Sequence, residues 1–443
     1  MIVGPVGRVL ARTTAPLALA LLVMFGLQLA EAWLIGRLGG YALAALGFVL
    51  PVVMTSMSFG IGLGAGASAV VARAIGAGGH DDAARLSRHV LVLAGGLGLL
   101  VSVPGWLAAP WLLDGLGASG EARDLALAYL RLWLPGLVPL LVGMAALSLL
   151  RAAGDTAFQG AALAGAGALS FALDFPLGLY WLGFPGFALA ASLGWSVMLV
   201  AALWRLRSLG LLGATGGGFL AAARRVLRIG VPAAAANAII PLAAGIYTAM
   251  LAAQGDETGP AAVAGFALGS RTEALAMTAF FALSAIANPF AAQNAGAGRM
   301  DRVAEGVRLS LIFCAVAGLA LAVPLWFAAD WIAARFTDDP AVTASAALYL
   351  RIMPFGFGAV GVIAVVSAAL NGLERPLAAV AVSLARTFAI GVPLAWLGGR
   401  LGGEAGLLGG ILAANIIVGV GAALFLLRAA DQSSFPAGAV KAA

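Results

Sequence analysis

A pattern of six apolar segments occurs twice in this chain, the second copy about 220 residues after the first. In the fifth segment, Ser170-Phe171-Ala172-Leu173-Asp174-Phe175-Pro176-Leu177 aligns with Thr387-Phe388-Ala389-Ile390-Gly391-Val392-Pro393-Leu394 in the eleventh, which sets Asp174 opposite Gly391. After the second and eighth segments, Gly76-Ala77-Gly78 with Asp81 returns as Gly296-Ala297-Gly298 with Asp301, and Tyr129-Leu130-Arg131 returns as Tyr349-Leu350-Arg351. Duplication in an integral membrane chain builds two bundles around a midplane cavity, and repeats of the same orientation are one known plan. A carboxylate kept in one copy alone separates the chemistry of the two halves.

Composition makes lipid the solvent. Apolar residues form 62% of the chain and charged residues 10%, against roughly 25% charged in a soluble domain. Windows of about 20 apolar residues fall at twelve places, from 15–36 to 406–427. They are rich in Ala, Leu and Gly and do not alternate polar with apolar, so helices that satisfy their own backbone are expected and a barrel is not. The expected fold is an all-α membrane protein with twelve transmembrane helices in two pseudo-symmetric six-helix bundles. Arg8 and Arg12 before the first span, and Arg73, Arg85 and Arg88 after the second, predict cytoplasmic termini. Loops around Asp114, Asp256-Glu257 and Asp338-Asp339 should face out. The net charge of +6 then reflects topology and contact with anionic head groups. No polar domain interleaves basic and aromatic residues, so nucleic acid is not an expected partner. Cys314 stands alone and reads as a core residue. The first span runs on to Glu31 and Arg37, which reads as an anchor that is not removed.

Between basic clusters, Gly213-Ala214-Thr215-Gly216-Gly217-Gly218 breaks helices. It divides the chain into a lobe over 1–205, a cytoplasmic linker over 206–228 and a second lobe over 229–443. Six spans per lobe put both entrances on one side and relate the repeats by an axis along the membrane normal. A cleft between the lobes is the default site. Gly62, Gly64 and Gly66 imitate a phosphate-binding loop, but no strand precedes them and no Gly-Lys-Ser/Thr follows. Close helix packing accounts for them.

An ionised acid at a helix centre costs about 2.5 to 3.5 kcal/mol, so carboxylates inside spans point to function. Glu31 falls in the outer half of span one, with Gln28 and Met24 on its face at i−3 and i−7. Asp174 lies at similar depth in span five, with Ser170 one turn below. Facing a wet cavity or taking up a proton lowers the cost of both acids, which suits a proton site. Pro176 removes a helix hydrogen bond beside the acid and is a candidate hinge, as is Pro16. Glu273 and Arg271 occupy span eight at i and i+2, on different faces. Arg386 in span eleven snorkels or pairs across helices. His80 and His89 lack metal-ligand neighbours, and no nucleophile–base set is visible.

Pro16, Glu31-Ala32-Trp33-Leu34-Ile35-Gly36-Arg37-Leu38-Gly39, Gly76-Ala77-Gly78, Leu150-Arg151-Ala152-Ala153-Gly154-Asp155-Thr156 and Ala295-Gly296-Ala297-Gly298-Arg299 together resemble the multidrug and toxic compound extrusion (MATE) transporters. The resemblance covers nearly all twelve segments. It implies a V-shaped pair of six-helix bundles in a bacterial or archaeal cytoplasmic (inner) membrane, with export of organic cations against inward protons or sodium. It implies no cofactor, and the protein is read as a monomer. In prokaryotic relatives with acids in the first lobe, the position of Glu31 is usually Asp and that of Ser170 usually Asn, while Asp174 matches. Glu273 resembles an acid that some relatives carry in span eight. Tyr247 is the repeat partner of Glu31, and the seventh-span acid of another branch is missing.

These residues suggest a multidrug efflux antiporter in which Glu31, Asp174 and Ser170 couple a proton to a lipophilic cation. Gln28, Met24, Glu273, Arg271 and Tyr247 are candidates for the cavity or for secondary coupling. Sodium at Glu31 and Asp174 is the nearest alternative, since all three coupling residues offer oxygen ligands. A lipid-linked oligosaccharide flippase would want a cationic cavity for its anionic cargo, and a lipid-directed enzyme would need the catalytic set that the sequence lacks.

Overall fold

Backbone polar groups find no partner in hydrocarbon, and every regular element among the described residues is accordingly helical. The computed structural model describes residues 1–213, 216–255 and 258–431, with side chains to 427. Asp256 and Glu257, and Ala214 and Thr215 of the linker, lie outside the described residues. In the first copy the helices are α1 (Val6–Gly36), α2 (Gly40–Gly76), α3 (His80–Gly115), α4 (Gly120–Ala153), α5 (Thr156–Leu173) and α6 (Phe184–Ser208). The second copy contains α7 (Phe219–Ala252), α8 (Gly259–Ala276), α9 (Thr278–Gly296), α10 (Met300–Ala333), α11 (Pro340–Ile352), α12 (Phe357–Gly372), α13 (Pro376–Leu384) and α14 (Val392–Asp431).

Twelve spans follow from these elements. Among the described residues, ten stretches are long and apolar enough to cross a membrane, and α8 with α9 forms an eleventh span bent by 53°. The stretch Pro376–Leu427 holds two spans, because α14 leaves helical geometry at Gly402 and Gly403, the latter with φ 58°. A positive φ is open to glycine without steric cost.

The duplication is visible in the helix ends. Ala77, Gly78 and Gly79 donate to the carbonyls of Arg73, Ile75 and Ala74, and the same three bonds recur from Ala297, Gly298 and Arg299 to Gln293, Ala295 and Asn294. These close the last turn as a left-handed cap does. The chain also widens to a π-helix in the same span of each copy, over Asp174–Trp181 and over Ala385–Gly391. Proline cannot supply an amide donor, and Pro176 lies inside the first of these segments.

The helices group into two units. The first is Arg12–Ala234; the second combines Met1–Ala11 with the chain from Ala235. In the first unit α4 is the central helix, and its Tyr129, Trp133, Leu137 and Leu140 pack with Phe184 and Phe187 of α6. Glycines let helices close in: a Cβ on Gly66 of α2 would stand 2.3 Å from the Val226 carbonyl oxygen of α7, and one on Gly62 would stand 2.5 Å from that of Gly230. These glycines therefore serve packing, in a continuous helix. The second unit has Tyr349, Leu350, Phe357 and Val365 of α11 and α12 at its centre, with Phe280 and Leu283 of α9 against them. Its opening residues are held by arginines of α10 and the turn before it, since Arg299 donates to the Ile2 carbonyl at 2.7 Å and Arg302 to that of Gly4 at 2.9 Å.

Candidate functional site

Asp174 is the most confined acid of the first unit. It closes α5 and opens the π segment, its amide donating to the Ser170 carbonyl. The side chain is 1% exposed, and neither carboxylate oxygen receives a hydrogen bond from any described residue. Buried polar atoms normally have partners, so an acceptor pair without one is a place where a cation or a proton is stabilised. The segment packs closely against α6. A Cβ on Gly186 of α6 would meet the Leu177 carbonyl oxygen at 2.0 Å, and one on Gly178 would enter the Phe187 ring.

Glu31 of α1 is half-buried and is the charged neighbour that acts on Asp174. Tyr129 of α4, buried with its ring stacked on Phe184 at 4.9 Å, feels the charge of both acids. The structure thus brings Glu31, Asp174 and Tyr129 together in one unit. Sequence reasoning did not single out Tyr129 as a site residue, although its return as Tyr349 within a repeated tripeptide was a signal.

The other sequence candidates divide. Ser170 is half-buried and leans on α6, where a Cβ built on Gly194 would come within 3.2 Å of its own Cβ. Met24 is half-buried and packs on Gly167 of α5, while Gln28 is exposed. Pro16 touches the start of α5 through its carbonyl, 2.8 Å from a Cβ on Gly160, and α1 runs unbroken through it.

A second polar cluster occupies the second unit. Glu273 is half-buried near the end of α8, one turn before the bend at Met277, and accepts a hydrogen bond from the Tyr349 hydroxyl. Arg386 lies in the second π segment and donates through Nε to Oδ1 of Asn415 on α14 at 2.8 Å. Its charge reaches Glu273, Tyr247 and Tyr349. Arg271 is exposed. At the repeat position of Asp174, Gly391 has no room for a side chain, because a Cβ there would lie 2.4 Å from the Arg386 carbonyl oxygen and 2.6 Å from the Tyr247 hydroxyl. The described residues contain no group of three His, Cys, Asp or Glu side chains placed to share a metal ion.

The MatE family pattern matches residues 16–175 and 232–397. The chain is similar to the FAD transporter of Shewanella oneidensis, with 32% identity over 427 residues that span 94% of this chain and 93% of that one. Its fold matches crystal structures of the Vibrio cholerae MATE transporter VcmN. The mutant form has a TM-score of 0.92 at 28% identity, covering 97% of this chain and 98% of that one. The bent form has a TM-score of 0.90 at 28% identity, covering 96% and 98%.

Proposed function

Because the chain belongs to the MatE family of membrane transporters, we propose that it is a secondary antiporter in which Glu31 and Asp174 exchange a proton for a lipophilic organic cation. The observation that carries this reading is the buried Asp174 carboxylate, whose oxygens lack partners among the described residues, with Glu31 as its charged neighbour. When both acids are ionised they hold an organic cation. When protons arrive from outside, that attraction is lost and the cargo leaves. Coupling requires that the cargo bind two states of the protein differently, and the protonation of the pair supplies the difference. Ser170 anchors the turn below Asp174 through its carbonyl, Met24 offers an adaptable wall, and Pro16 and Pro176 absorb bending. The protein works as a monomer in the cytoplasmic membrane of a bacterium or archaeon, both termini inside, a placement that the arginine-rich loops support.

Efflux of ethidium from proteoliposomes under an imposed pH gradient tests the coupling. Asp174→Asn and Glu31→Gln should each reduce pH-driven efflux by roughly tenfold or more, the usual scale for losing a positioned proton carrier. Undiminished coupled efflux in both variants would remove the two acids from the mechanism. Varying sodium at fixed pH decides between the proton and sodium.

One finding favours a second reading of the cargo. The relative at 32% identity is described as an FAD transporter, and a flavin dinucleotide shares with planar drugs a large aromatic face. Counterflow of labelled FAD against ethidium in the same vesicles separates the two. Saturable FAD exchange that ethidium fails to inhibit would replace the drug reading with the flavin one and, because ionised Glu31 and Asp174 repel a dianion, would also overturn the charge competition proposed for them.

A further inference from the structure

The first unit also holds a cation that no carboxylate among the described residues neutralises. Arg151 lies two residues before the end of α4, half-buried, and its Nη2 donates to the Ser148 hydroxyl at 3.1 Å. Ser148 is wedged between helices: its own hydroxyl donates to the Met144 carbonyl at 2.8 Å, and a Cβ on Gly64 of α2 would stand 2.5 Å from its oxygen. The guanidinium is thus tied into the groove between α2 and α4 and does not reach out along the membrane surface as an untethered arginine would. Nε is sealed from solvent without an acceptor, and one turn beyond Gly64 the fully buried Ser68 hydroxyl also lacks a partner among the described residues. The acid nearest in sequence is already committed. Asp155 accepts from the Phe158 amide through Oδ1 at 3.3 Å and from Arg205 Nε through Oδ2 at 2.6 Å. Repeat symmetry marks the charge as particular to this half, since Leu150-Arg151 returns in the second copy as Leu370-Asn371.

We propose that Arg151 anchors a binding site for a phosphate group, supplied by a lipid head group or by a soluble phosphate ester, at the end of the first unit away from Asp174. A half-buried guanidinium costs free energy until an anion pairs with it, and the described residues offer none. Its donors lie in one plane, a fork that matches two oxygens of a phosphate and suits a point anion such as chloride less well. Nη1 has no acceptor among the described residues and, unlike Nε, is not sealed, so it presents an open edge. The level suits a phosphate too. Helices α2, α4 and α6 all end at this face, beside Arg73, Arg151, Arg205 and Arg207, where anionic head groups meet a bundle. From Asp155 to Asp174 the chain climbs roughly 28 Å of helix, so the acid deep in the unit does not serve as the counter-ion. The site stands whichever cargo and ion the acids exchange.

Purified, delipidated full-length protein in non-ionic detergent and phosphate-free buffer tests it. Inorganic pyrophosphate is titrated by calorimetry at constant ionic strength, and phosphatidylglycerol is followed by native mass spectrometry. Chloride and dioleoylglycerol are the controls without phosphate. Wild type should hold at least one phosphate probe and neither control. Arg151→Gln should weaken that binding roughly tenfold to a hundredfold, the scale of hydrogen bonds to a charged group. Arg151→Lys keeps the charge and loses the fork, so its affinity should fall between the two, and it leaves a protein to measure if the neutral variant does not assemble. Preference for pyrophosphate identifies a soluble ester as the occupant, and preference for phosphatidylglycerol identifies a lipid. Wild type that binds neither probe, or that holds dioleoylglycerol as tightly as phosphatidylglycerol and ignores pyrophosphate, would overturn the proposal. So would a phosphate affinity that substitution of Arg151 leaves unchanged.

Discussion

At the scale of single residues, Asp174 and Gly391 stand at equivalent places and carry opposite costs. An ionised acid in mid-membrane is a liability that function alone justifies. Asp174→Asn keeps the shape and removes the charge, so the variant should melt higher in detergent, by on the order of 1–3 kcal/mol, while its pH-driven efflux disappears. A gain of stability with a loss of activity is the expected signature of a working polar site. A lower melting temperature would mean that the carboxylate is held for packing. Gly391 predicts the reverse. Its missing Cβ would press on the Arg386 carbonyl oxygen at 2.4 Å and the Tyr247 hydroxyl at 2.6 Å, so Gly391→Ala should cost roughly 1–3 kcal/mol as overpacking does. Adding Tyr247→Phe, which withdraws the crowding hydroxyl, should recover part of that loss in the same thermal melt.

At the scale of elements, the widened turn over Asp174–Trp181 sets the acid against its neighbours, with α6 closing on it at Gly186 and Gly178. A π segment behaves as an α-helix with a residue inserted, and such insertions cluster at functional sites. Deleting Phe175, whose side chain is exposed, should let the segment relax to α-helical winding. The protein should still insert, and coupled ethidium efflux should fall by roughly tenfold or more, while Phe175→Ala stays near wild type. Equal activity in the two would show the wide turn to be incidental. Much of this element was readable beforehand. Apolar length foretold the spans, the repeated Gly-Ala-Gly foretold the paired turns, and a lone intramembrane acid stood out because lipid punishes charge. The winding itself was hidden, since Pro176 signals a lost amide donor and does not say whether the helix bends or widens. The cluster around Glu273 was hidden for another reason. Its bonds join residues 76 and 29 positions apart in the chain, and no local pattern marks which distant helices will meet.

At the scale of the whole molecule, the charge moved in one cycle links the first unit's chemistry to the membrane potential. If Glu31 and Asp174 each deliver one proton inward while one monovalent cation leaves, the cycle carries a single net positive charge in. That charge is worth about 2.3 kcal/mol per 100 mV, which at room temperature is roughly a fiftyfold change in the cargo gradient that can be sustained. In vesicles clamped by a potassium diffusion potential, ethidium accumulation should therefore respond steeply to voltage. With Glu31→Gln one proton is lost from the exchange, and any remaining transport becomes electroneutral and blind to voltage. A flavin dinucleotide changes both the count and the site, because two ionised acids repel its phosphates and the cargo would need other contacts. If two protons still entered for each dianion exported, about four charges would move and the dependence would be far steeper. Voltage dependence of purified protein with each cargo thus distinguishes the cargo readings and counts the protons together. Voltage-independent ethidium export by the wild type would rule out the two-proton cycle.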